Sequence, residues 1–491
     1  MKLRDLLRGV RVRELRGEDS IEVTSVTSDS RLVHEGSLFV AIRGTEADGN
    51  RFISGAVDKG AVAIVTEDPP GEIQETVWVQ VEHAREALAE IAANFHGHPA
   101  KHLSLVGVTG TSGKTTTTKM IEAIFDATGS PVGLIGTIEY RAGDQREIAD
   151  RTTPDAVSLQ EWFARMAASG VRNAVMEVSS HALAMRRTHG VPFAAAVFTN
   201  LSRDHFDFHS GFEDYFAAKR ILFDQIDRSK KSAIVNLDDE YGQRLIRELG
   251  DAAMTFGRSG DADIYPAPGF EVSIDGLHCV LVTPGGEITL ESKLLGFPNL
   301  YNWMGATGAA LVLGIERGAI EAGMRNLVRV PGRFERVSGE GELPVIVDYA
   351  HKPDALEKLL HAVRELAPDR RLVVVFGCGG NRDRGKRPMM GEISATLADH
   401  SIITSDNPRG ERPESIVEEI EKGVRGVEGA SYEVEIDRRS AIERAIVKAD
   451  SNSVVVIAGK GHEDYQVLAD RIVHFNDREE AAQALKKRAR E

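Results

Sequence analysis

The sequence has little cysteine, no long apolar run and no excess of basic residues. Its two cysteines, Cys279 and Cys378, cannot form a framework of disulfide bonds, which favours a reducing compartment. No stretch approaches the roughly 18 apolar residues that a membrane-spanning helix needs. The charged start of the chain lacks the apolar core of a secretion signal. We therefore expect a soluble, cytoplasmic protein without a transmembrane segment.

The charge balance is acidic. Lys and Arg number 60 against 75 Asp and Glu, giving a net charge of -15, so a surface coated by nucleic acid is not expected. The hydrophobic share of 42% and the charged share of 27% are typical of globular proteins and exclude a disordered or fibrous chain. A length of 491 residues predicts two to four domains.

Three regions differ in their pattern, and we predict domains at 1–99, 100–330 and 331–491. The first region has strand-like runs and one helix-like run, followed by a linker with Gly and Pro. The predicted strands are 21–27, 36–42, 61–65 and 77–81, the helix is 83–95 and the linker is 97–100. This pattern indicates a small N-terminal α/β domain.

The other two regions alternate strands and helices, which predicts parallel sheets. In the second region we predict strands at 103–108, 174–178, 194–199 and 232–237, helices at 114–127 and 300–313, and a hairpin of 272–283 with 287–293. In the third region the predicted strands are 344–348, 371–376, 401–404, 432–436 and 453–458. The fold class is therefore α/β, with a central parallel-sheet domain and a C-terminal Rossmann-like, doubly wound domain.

A Gly- and Thr-rich loop follows the strand at 103–108 and begins a helix. The segment 107–116 reads Gly-Val-Thr-Gly-Thr-Ser-Gly-Lys-Thr-Thr, which is typical of a phosphate-binding P-loop in this context. Lys114 would contact the β- and γ-phosphates, and Thr115 would ligate Mg²⁺. The spacing departs from the common form, because Val108 stands where that form has Gly. A P-loop alone indicates a nucleoside triphosphate and leaves kinase, GTPase, motor and ligase open.

Ionisable residues gather after two predicted strands of the central sheet. Glu177 and His181 end one strand, and a loop with two aspartates and two histidines, at 204–209, follows the next. Ligands bind at the carboxyl ends of such strands, and these side chains suit a divalent metal near transferred phosphate. Asp207 could equally cap the helix that begins near Glu213. Lys219 lies on that helix, where a lysine is ordinarily solvated.

The order of these motifs resembles the Mur ligases, the ATP-dependent amide ligases of peptidoglycan precursor synthesis. The resemblance covers nearly the whole chain and rests on segments in all three regions. They are 29–31 (Asp-Ser-Arg), 110–116, 152–154, 177–181, 204–209, Lys219, 301–302, 331–335, 348–351, 379–382, 406–409 and 459–464. In that family Asp-Asn-Pro-Arg, here at 406–409, marks the diaminopimelate-adding members. The resemblance therefore implies transfer of meso-diaminopimelate to the D-glutamate of UDP-N-acetylmuramoyl-L-alanyl-D-glutamate through an acyl phosphate.

The resemblance also implies roles for individual residues. The ATP site would comprise Gly110, Thr111, Ser112, Gly113, Lys114, Thr115, Thr116, Asn302, Arg333 and Asp348. The UDP-substrate site would comprise Ser28, Ser30, Thr45, Glu46, Ala47, Thr152, Thr153, Ser179 and Arg187. The diaminopimelate site would comprise Arg382, Asp406, Asn407, Pro408, Arg409, Gly459 and Glu463.

For catalysis the resemblance implies Lys114, Glu177, His205 and Lys219, with Mg²⁺ held by Thr115, Glu177, His205 and a carbamylated Lys219 (N6-carboxylysine). Two positions depart from the family pattern, since Met185 and Arg151 stand where Gln and Asn are common. Guanidinium groups suit the distal carboxylate of diaminopimelate, and L-lysine lacks that carboxylate. Only small-molecule substrates and a monomer are expected.

Three alternatives stay open. A lysine-adding ligase would share the scaffold, and segment 406–409 discriminates against it. Folylpolyglutamate synthase has a related architecture but lacks a UDP-binding N-terminal domain. A nucleotide-dependent switch or binding protein would not need Arg382, Arg409 and Glu463 in one pocket. Cys378 is expected to be a buried bystander, and neither His351 nor His462 is assigned a proton-transfer role.

Overall fold

A computed structural model describes residues 1–44, 47–69, 76–339 and 341–490 of the chain. The chain folds into two compact units. One unit comprises Met1–Ile264 and Met304–Ile320, and the other comprises Tyr265–Trp303 and Glu321–Glu491. Across the described ranges no helix is both long enough and apolar enough to cross a membrane.

The N-terminal sheet has the strand order β1-β5-β4-β3-β2, in which only β1 is antiparallel to its neighbour. Its strands are β1 (Val12–Arg16), β2 (Ser25–Thr27), β3 (Ser37–Val40), β4 (Ala63–Thr66) and β5 (Val77–Val81). Its helices are α1 (Leu3–Leu6), α2 (Ile53–Asp58) and α3 (Ala84–Phe95), with a 3₁₀ helix at Gly49–Phe52. The four predicted strands and the helix are confirmed. The edge strand β1 was not predicted, because its largely exposed side chains leave no apolar signal.

The central sheet has the order β13-β12-β11-β6-β10-β7-β8-β9, parallel from β13 to β7. Its strands are β6 (Ser104–Thr109), β7 (Val132–Ile135), β8 (Glu139–Ala142), β9 (Gln145–Ile148), β10 (Asn173–Glu177), β11 (Ala195–Phe198), β12 (Ala233–Asn236) and β13 (Ala253–Phe256). Its helices are α4 (Lys114–Asp126), α5 (Ala156–Ala168), α6 (Ser180–Ala184), α7 (Phe212–Arg220) and α8 (Glu240–Leu249). Further 3₁₀ helices lie at Pro99–His102, which overlaps the end of the predicted linker at 97–100, and at Ile221–Asp224 and Gly250–Ala252.

The register of this sheet brings three strand ends together. Glu177 at the end of β10 pairs with Val108 of β6, and Phe198 at the end of β11 pairs with Thr109 of β6. Apolar side chains of the strands pack against the helices, with Phe198, Phe216 and Phe223 among the buried residues. The loops after β6, β10 and β11 therefore leave the sheet at one edge, where ligands bind in α/β folds.

An antiparallel sheet precedes two helices in the middle of the chain. Its strands are β14 (Tyr265–Pro266), β15 (Glu271–Ser273), β16 (Gly276–Thr283) and β17 (Gly286–Ser292), followed by α9 (Phe297–Val312) and α10 (Arg317–Asn326). The β16–β17 hairpin confirms the predicted turn at 284–286. The prediction of one strand over 272–283 was wrong, since β15 turns back on β16 at Asp275. Gly276 has φ +143, and a Cβ there would lie too close to the Ser292 carbonyl. The turn therefore requires glycine at this position.

The C-terminal sheet has the order β18-β19-β23-β20-β21-β22, parallel except for β18. The strands of this region are β18 (Glu335–Arg336), β19 (Val345–Asp348), β20 (Arg371–Phe376), β21 (His400–Ile403), β22 (Tyr432–Val434), β23 (Ser453–Ala458), β24 (Tyr465–Val467) and β25 (Ile472–His474). Its helices are α11 (Pro353–Leu366), α12 (Lys386–Leu397), α13 (Pro413–Val424), α14 (Arg438–Val447) and α15 (Asp477–Arg488). Two apolar cores, one with α11 to α13 and one with α14 and α15, cover this sheet. The predicted α/β class and doubly wound C-terminal sheet are confirmed.

Candidate active site

The loop after β6 has the geometry of a phosphate-binding loop. Gly110 has φ +150, and a Cβ there would lie 1.9 Å from the Thr199 hydroxyl, so glycine is required. The Lys114 ammonium bends back to donate to the carbonyl oxygens of Gly110 and Thr111 at 2.9 and 3.0 Å. Thr115 and Thr116 lie in the first turn of α4 and are buried. The predicted residues 110–116 thus form a continuous segment, with the loop at 110–113 followed directly by the first turn of α4.

The loop after β11 fixes this turn from the side. Asn200 accepts the backbone N–H of Thr111 at 2.8 Å through its carbonyl and that of Ser112 at 3.0 Å through its side chain. The Thr199 hydroxyl donates to the Ser112 carbonyl at 2.7 Å. Sequence reasoning did not select Asn200, whose only signal was its place directly after a buried strand.

Glu177 is the buried carboxylate of the site, at 1% exposure. One oxygen accepts the hydroxyls of Thr115 and Thr137 at 2.9 and 3.1 Å, and the other accepts the Thr137 N–H at 2.7 Å. Thr115 and Glu177, both predicted metal ligands, are therefore in direct contact. Thr137 was missed because it lies in a loop after β7, a strand that was not predicted.

Lys219 is also buried, and it is adjacent to the phosphate loop. Its ammonium donates to the Gly110 carbonyl at 2.7 Å, the oxygen that also accepts from Lys114, and it lies 4.3 Å from the centre of the Tyr215 ring. Burial, and then the positive charge of Lys114, holds the pKa of Lys219 well below its usual range. The neutral amine is therefore favoured far more than in a solvated lysine.

Three histidine rings cluster beside Tyr215. The His181 ring centre lies 4.8 Å from that of His205 and 5.7 Å from that of His209. His205 has φ +55, and its Nε2 lies 3.3 Å from the Asp204 carboxylate. Burial lowers the pKa of both His181 and His209.

The remaining residues of this loop separate into buried and exposed side chains. The His209 ring hydrogen-bonds the Ser180 hydroxyl at 3.0 Å and lies 3.4 Å from the Asp214 carboxylate. Asp207 is exposed, and α7 begins after Gly211 without a side-chain cap, so the alternative of Asp207 as a helix cap was wrong. In the described part of the chain, no three His, Cys, Asp or Glu side chains are arranged to hold a metal ion. The predicted set therefore depends on Thr115 and Lys219 as well.

The four residues predicted to bind the muramoyl-peptide part of the substrate surround the Glu177 strand end. The Thr153 hydroxyl donates to the Glu177 carbonyl at 2.8 Å and accepts the Ser179 N–H at 3.1 Å. Arg187 donates to the Thr153 carbonyl at 2.7 Å, and Thr152 hydrogen-bonds Thr137 at 3.1 Å. The structure brings Thr152, Thr153, Ser179 and Arg187 together.

The two departures from the family pattern adjoin Arg187. Its guanidinium lies 3.5 Å from the Met185 sulfur. Burial lowers the pKa of Arg187, and the positive charges of Arg151 and Arg85 lower it further. Arg151, at the position where Asn is common in the family, therefore adds positive charge beside Arg187. An anionic ligand would relieve the repulsion between these arginines.

In the N-terminal domain, Ser28 and Ser30 flank Asp29 after β2. Asp29 makes a bidentate pair with Arg31, which lowers the pKa of Asp29 from 3.8 to about 2. The Ser30 carbonyl accepts from Lys59 at 2.7 Å. Ala47 accepts the Gly44 N–H at 2.9 Å, whereas Thr45 and Glu46 lie outside the described residues.

The residues predicted for adenosine include a buried acid next to an arginine. The Asp348 carboxylate accepts the N–H groups of Phe334 and Ala350 at 2.7 and 2.8 Å. Burial raises the pKa of Asp348, which the charge of Arg333 opposes. The Arg333 guanidinium lies 5.0 Å from the centre of the Tyr349 ring, an aromatic surface that the sequence interpretation did not select. Asn302 is buried and donates to Asn299 at 3.1 Å.

The diaminopimelate residues meet at the carboxyl ends of β20, β21 and β23. Asn407 donates to Glu463 at 2.9 Å, and a Cβ at Gly459 would lie 2.9 Å from Asp406. Arg409 has φ +52 and donates to the Gly380 carbonyl at 3.1 Å. A Cβ built at Gly379 would lie 2.9 Å from the Arg409 guanidinium and 3.7 Å from the Arg382 side chain. The structure therefore places the Arg409 guanidinium and the aliphatic part of Arg382 beside Gly379. It groups Asp406 with Gly459 and Asn407 with Glu463, and Pro408 lies against Gly380.

A lysine that was not predicted occupies this pocket. The Lys460 ammonium is fully buried and donates to Glu463 at 3.0 Å and to Asn407 at 3.3 Å. Its signal was its place between Gly459 and Gly461. Cys378 is also buried, and burial raises the pKa of its thiol to about 12, so it is not a thiolate nucleophile. Burial lowers the pKa of His351 and of His462 to about 4, and both are neutral at pH 7.

Comparison with known proteins relates the whole chain to one family. Profiles of the Mur ligase family catalytic domain, the Mur ligase middle domain and the Mur ligase glutamate ligase domain match residues 22–96, 108–310 and 332–461. A Gloeobacter violaceus protein named UDP-N-acetylmuramoyl-L-alanyl-D-glutamate–2,6-diaminopimelate ligase is 45% identical, with 99% of each chain covered. A Geobacter metallireducens protein of the same name is 43% identical over 99% of this chain and 98% of its own.

Solved structures agree with these relatives. A structure titled as the same ligase has a TM-score of 0.73 at 30% identity, covering 100% of this chain and 99% of its own. A Mycobacterium tuberculosis folylpolyglutamate synthase shares the fold, with a TM-score of 0.57 at 18% identity, but covers only 75% of this chain. The relatedness extends from the N-terminal to the C-terminal domain, and the chain belongs to the Mur ligase family.

Proposed function

We propose that this chain is the ATP-dependent ligase that joins meso-diaminopimelate to the D-glutamate of UDP-N-acetylmuramoyl-L-alanyl-D-glutamate in peptidoglycan precursor synthesis. The observation that carries the proposal is full-length identity of 43 and 45% to relatives with that printed name. The Arg409 guanidinium beside Gly379, with the Arg382 side chain also near that glycine, supports the choice of amino acid.

The reaction proceeds in two steps. A carboxylate oxygen of the D-glutamate attacks the γ-phosphorus of ATP, an O–P bond forms, and ADP leaves. The amine of diaminopimelate then attacks the acyl carbon, loses a proton, and inorganic phosphate leaves. Lys114 and the N–H groups of the loop stabilise the negative charge on the transferred phosphoryl group, because their positions are fixed before the reaction begins.

The chemistry of the donors fits a hard divalent cation near the phosphate loop. Thr115 and Glu177 present oxygen atoms 2.9 Å apart at the helix N-terminus, and His205 adds an imidazole beside Tyr215. Mg²⁺ held by Thr115, Glu177, His205 and a modified Lys219 would neutralise charge on the ATP phosphates. An ammonium cannot ligate a cation, so Lys219 belongs to this set only after modification.

We assign Lys219 as a carbamylated residue on the basis of its surroundings. Its buried amine has a strongly lowered pKa and can therefore attack CO₂. A bond forms between Nζ and the CO₂ carbon, and one proton leaves the nitrogen. The product is an anion with two oxygen atoms, which would balance Lys114 and ligate the cation.

The carbamylation proposal is tested by Lys219→Ala with and without short-chain carboxylic acids. We expect loss of activity, partly restored by the added acids, which replace the missing carboxylate group. Lys230→Ala, whose side chain is 77% exposed, serves as the control and should stay active without them. Activity of the unrescued Lys219→Ala variant at the wild-type level would contradict the proposal.

The other substrate contacts follow from the groups described above. Ser28, Ser30, Thr45, Glu46 and Ala47 would bind the uridine nucleotide, and Thr152, Thr153, Ser179 and Arg187 the muramoyl-peptide part. Asn302, Arg333 and Asp348 would contact adenosine. Arg382 and Arg409 would bind the distal carboxylate of diaminopimelate in the amino-acid pocket, defined by residues 379–382, 406–409 and 459–463. The distal ammonium would share the Glu463 carboxylate with Lys460.

The test is phosphate release in the presence of ATP and the UDP-muramoyl-dipeptide, with meso-diaminopimelate, L-lysine or L-ornithine as the amine. We expect turnover with meso-diaminopimelate and a product of matching mass. Preference for L-lysine would retain the mechanism and overturn the role of the arginines. Phosphate release without amide product would favour the nucleotide-dependent switch.

Several further properties belong to this proposal. The enzyme acts in the cytoplasm, as a monomer, with small-molecule substrates and no nucleic acid. The domains at 1–99, 100–330 and 331–491 bind the UDP-substrate, ATP and the amino acid. Light scattering of the purified protein tests the monomer, and a dimer mass would overturn it.

A further inference from the structure

A fully buried arginine lies next to the amino-acid pocket without belonging to it. Arg387 is on α12, and its side chain is 0% exposed. Its guanidinium donates to both carboxylate oxygens of Glu411 at 2.9 Å and to Glu419 on α13 at 2.9 Å. It also donates to the Gly379 carbonyl at 3.2 Å. No part of the proposed function uses this residue.

These partners tie together two loops that carry the predicted carboxylate-binding arginines. Loop A, residues 377–382, ends with Arg382, and loop B, residues 405–411, contains Arg409. Arg387 contacts loop A at the Gly379 carbonyl and loop B at Glu411, and Glu411 also accepts the Asn381 N–H of loop A. One guanidinium therefore bonds to both loops and strengthens the contact between them.

The two loops also contact each other directly, beside the Arg387 tie. The Gly380 N–H donates to the Asn407 carbonyl at 2.9 Å, and a Cβ at Gly380 would lie 1.9 Å from the Pro408 carbonyl. Asn381 and Arg409 both have φ +52, a conformation that costs energy for residues other than glycine. Such conformations persist where the surroundings hold them, and Glu411 supplies part of that constraint, since it accepts the Asn381 N–H and pairs with Arg387.

We propose that Arg387 is a positioning residue of the amino-acid pocket. By bonding to loops A and B at once, it fixes the separation of the backbone segments that carry Arg382 and Arg409. This spacing selects an amino acid that carries a second carboxylate at its far end. The inference rests on the proposed function, because the ligand is the diaminopimelate of that reaction.

The chemistry of the guanidinium explains why another cation would not serve. Its planar fork bonds to two carboxylates and a carbonyl in fixed directions, whereas an ammonium is a point charge on a flexible stem. Lysine at this position would keep the charge opposite Glu411 and Glu419 but lose the tie to one of the loops. Small displacements of binding groups are costly, since about 1 Å can change a rate by about 10²-fold.

The experiment compares Arg387→Lys and Glu411→Gln with wild type in the three-substrate assay. We expect the KM for meso-diaminopimelate to rise at least about tenfold, with the KM for ATP changed by less than about twofold. The ratio of kcat/KM for meso-diaminopimelate to that for L-lysine should fall at least about tenfold. Arg141→Lys is the matched control, since Arg141 is 11% exposed and pairs with Glu122 and Asp126 outside the pocket.

The outcomes separate the inference from the proposed function. A wild-type enzyme that does not use meso-diaminopimelate overturns both. If wild type uses it and Arg387→Lys only lowers the melting temperature, as Arg141→Lys does, the positioning role is wrong and the proposed function stands. If Arg387→Lys does not fold, the Glu411→Gln variant tests the positioning role instead. The same rise in KM and loss of selectivity would support the role, and unchanged values would overturn it.

Discussion

In the phosphate loop the functional groups are contiguous in the chain, whereas in the amino-acid pocket they come from three separated loops. Residues 110–116 form a continuous segment, fixed by backbone contacts with Asn200 and by Thr199. The pocket loops are joined by side chains from remote positions: Arg387 pairs with Glu411 and donates to the Gly379 carbonyl, and Lys460 donates to Asn407. The comparison shows that one site is a short continuous segment of the chain, whereas the other depends on side-chain contacts between remote segments.

The largest effect is expected from Lys114→Ala. The proposed mechanism places this cation against the transferred phosphoryl group, so its removal should lower kcat by about 10³-fold or more. The KM for meso-diaminopimelate should change little, because the pocket is a separate site. Steady-state phosphate release measures both constants. Lys101→Ala, an exposed lysine of the same unit, is the control, and an equal loss there would refute the role of Lys114.

The second largest effect is expected from Arg409→Lys. Lysine cannot bind the distal carboxylate of diaminopimelate through two parallel hydrogen bonds, as the proposal expects of Arg409. The change should lower kcat/KM for meso-diaminopimelate by about 10²-fold, with the KM for ATP unchanged. Competition between meso-diaminopimelate and L-lysine, read by product mass, gives the change in selectivity. Arg412→Lys is the matched control, since that side chain is 81% exposed. Unchanged selectivity in Arg409→Lys would remove this arginine from the pocket.

A smaller effect, on stability, is expected from Gly110→Ala. The new Cβ meets the Thr199 hydroxyl, and we expect the free energy of unfolding to fall by about 3 kcal/mol. Gly129→Ala separates strain from steric contact, because Gly129 has φ +75 with no atom within 4 Å of the Cβ. That variant should lose about 1 kcal/mol and keep its activity. Equal losses in urea unfolding would show that contact with Thr199 is unimportant.

The smallest effect is expected from Asp29→Asn, which removes an ion pair at the surface. The Arg31 side chain is 86% exposed, so screening limits the loss to less than about 1 kcal/mol. Folding lowers the pKa of Asp29 from 3.8 to about 2. The ionised carboxylate therefore stabilises the folded protein fully above pH 3.8, and this stabilisation is lost as the pH falls through 2. Urea unfolding at pH 7, 5 and 3 should show the difference shrinking below about pH 4. Asp19→Asn, an exposed aspartate, should show no such trend.

Sequence reasoning performed best where local patterns repeat in the structure. Strands β20 (Arg371–Phe376) and β23 (Ser453–Ala458) match their predicted bounds, since buried parallel strands are continuous apolar runs. It failed at β1 and at the turn before Gly276, where the strands are partly exposed and the apolar signal is weak. Local patterns also found Glu177, and the family resemblance supplied Asn407. Thr137 and Lys460 were missed because they contact Glu177 and Asn407, which lie in other parts of the chain.

The sequence by itself determined the α/β class and the phosphate loop, because each depends on residues close together in the chain. It also determined the family, because the order of short motifs along the chain can be compared without a structure. Only the tertiary structure decided that Lys219 and Lys114 donate to one carbonyl, and that Arg387 joins two pocket loops. Burial and distance between remote residues set the pKa of Lys219 and the partners of Arg387. Neither quantity exists until the strands pair and the helices pack against them.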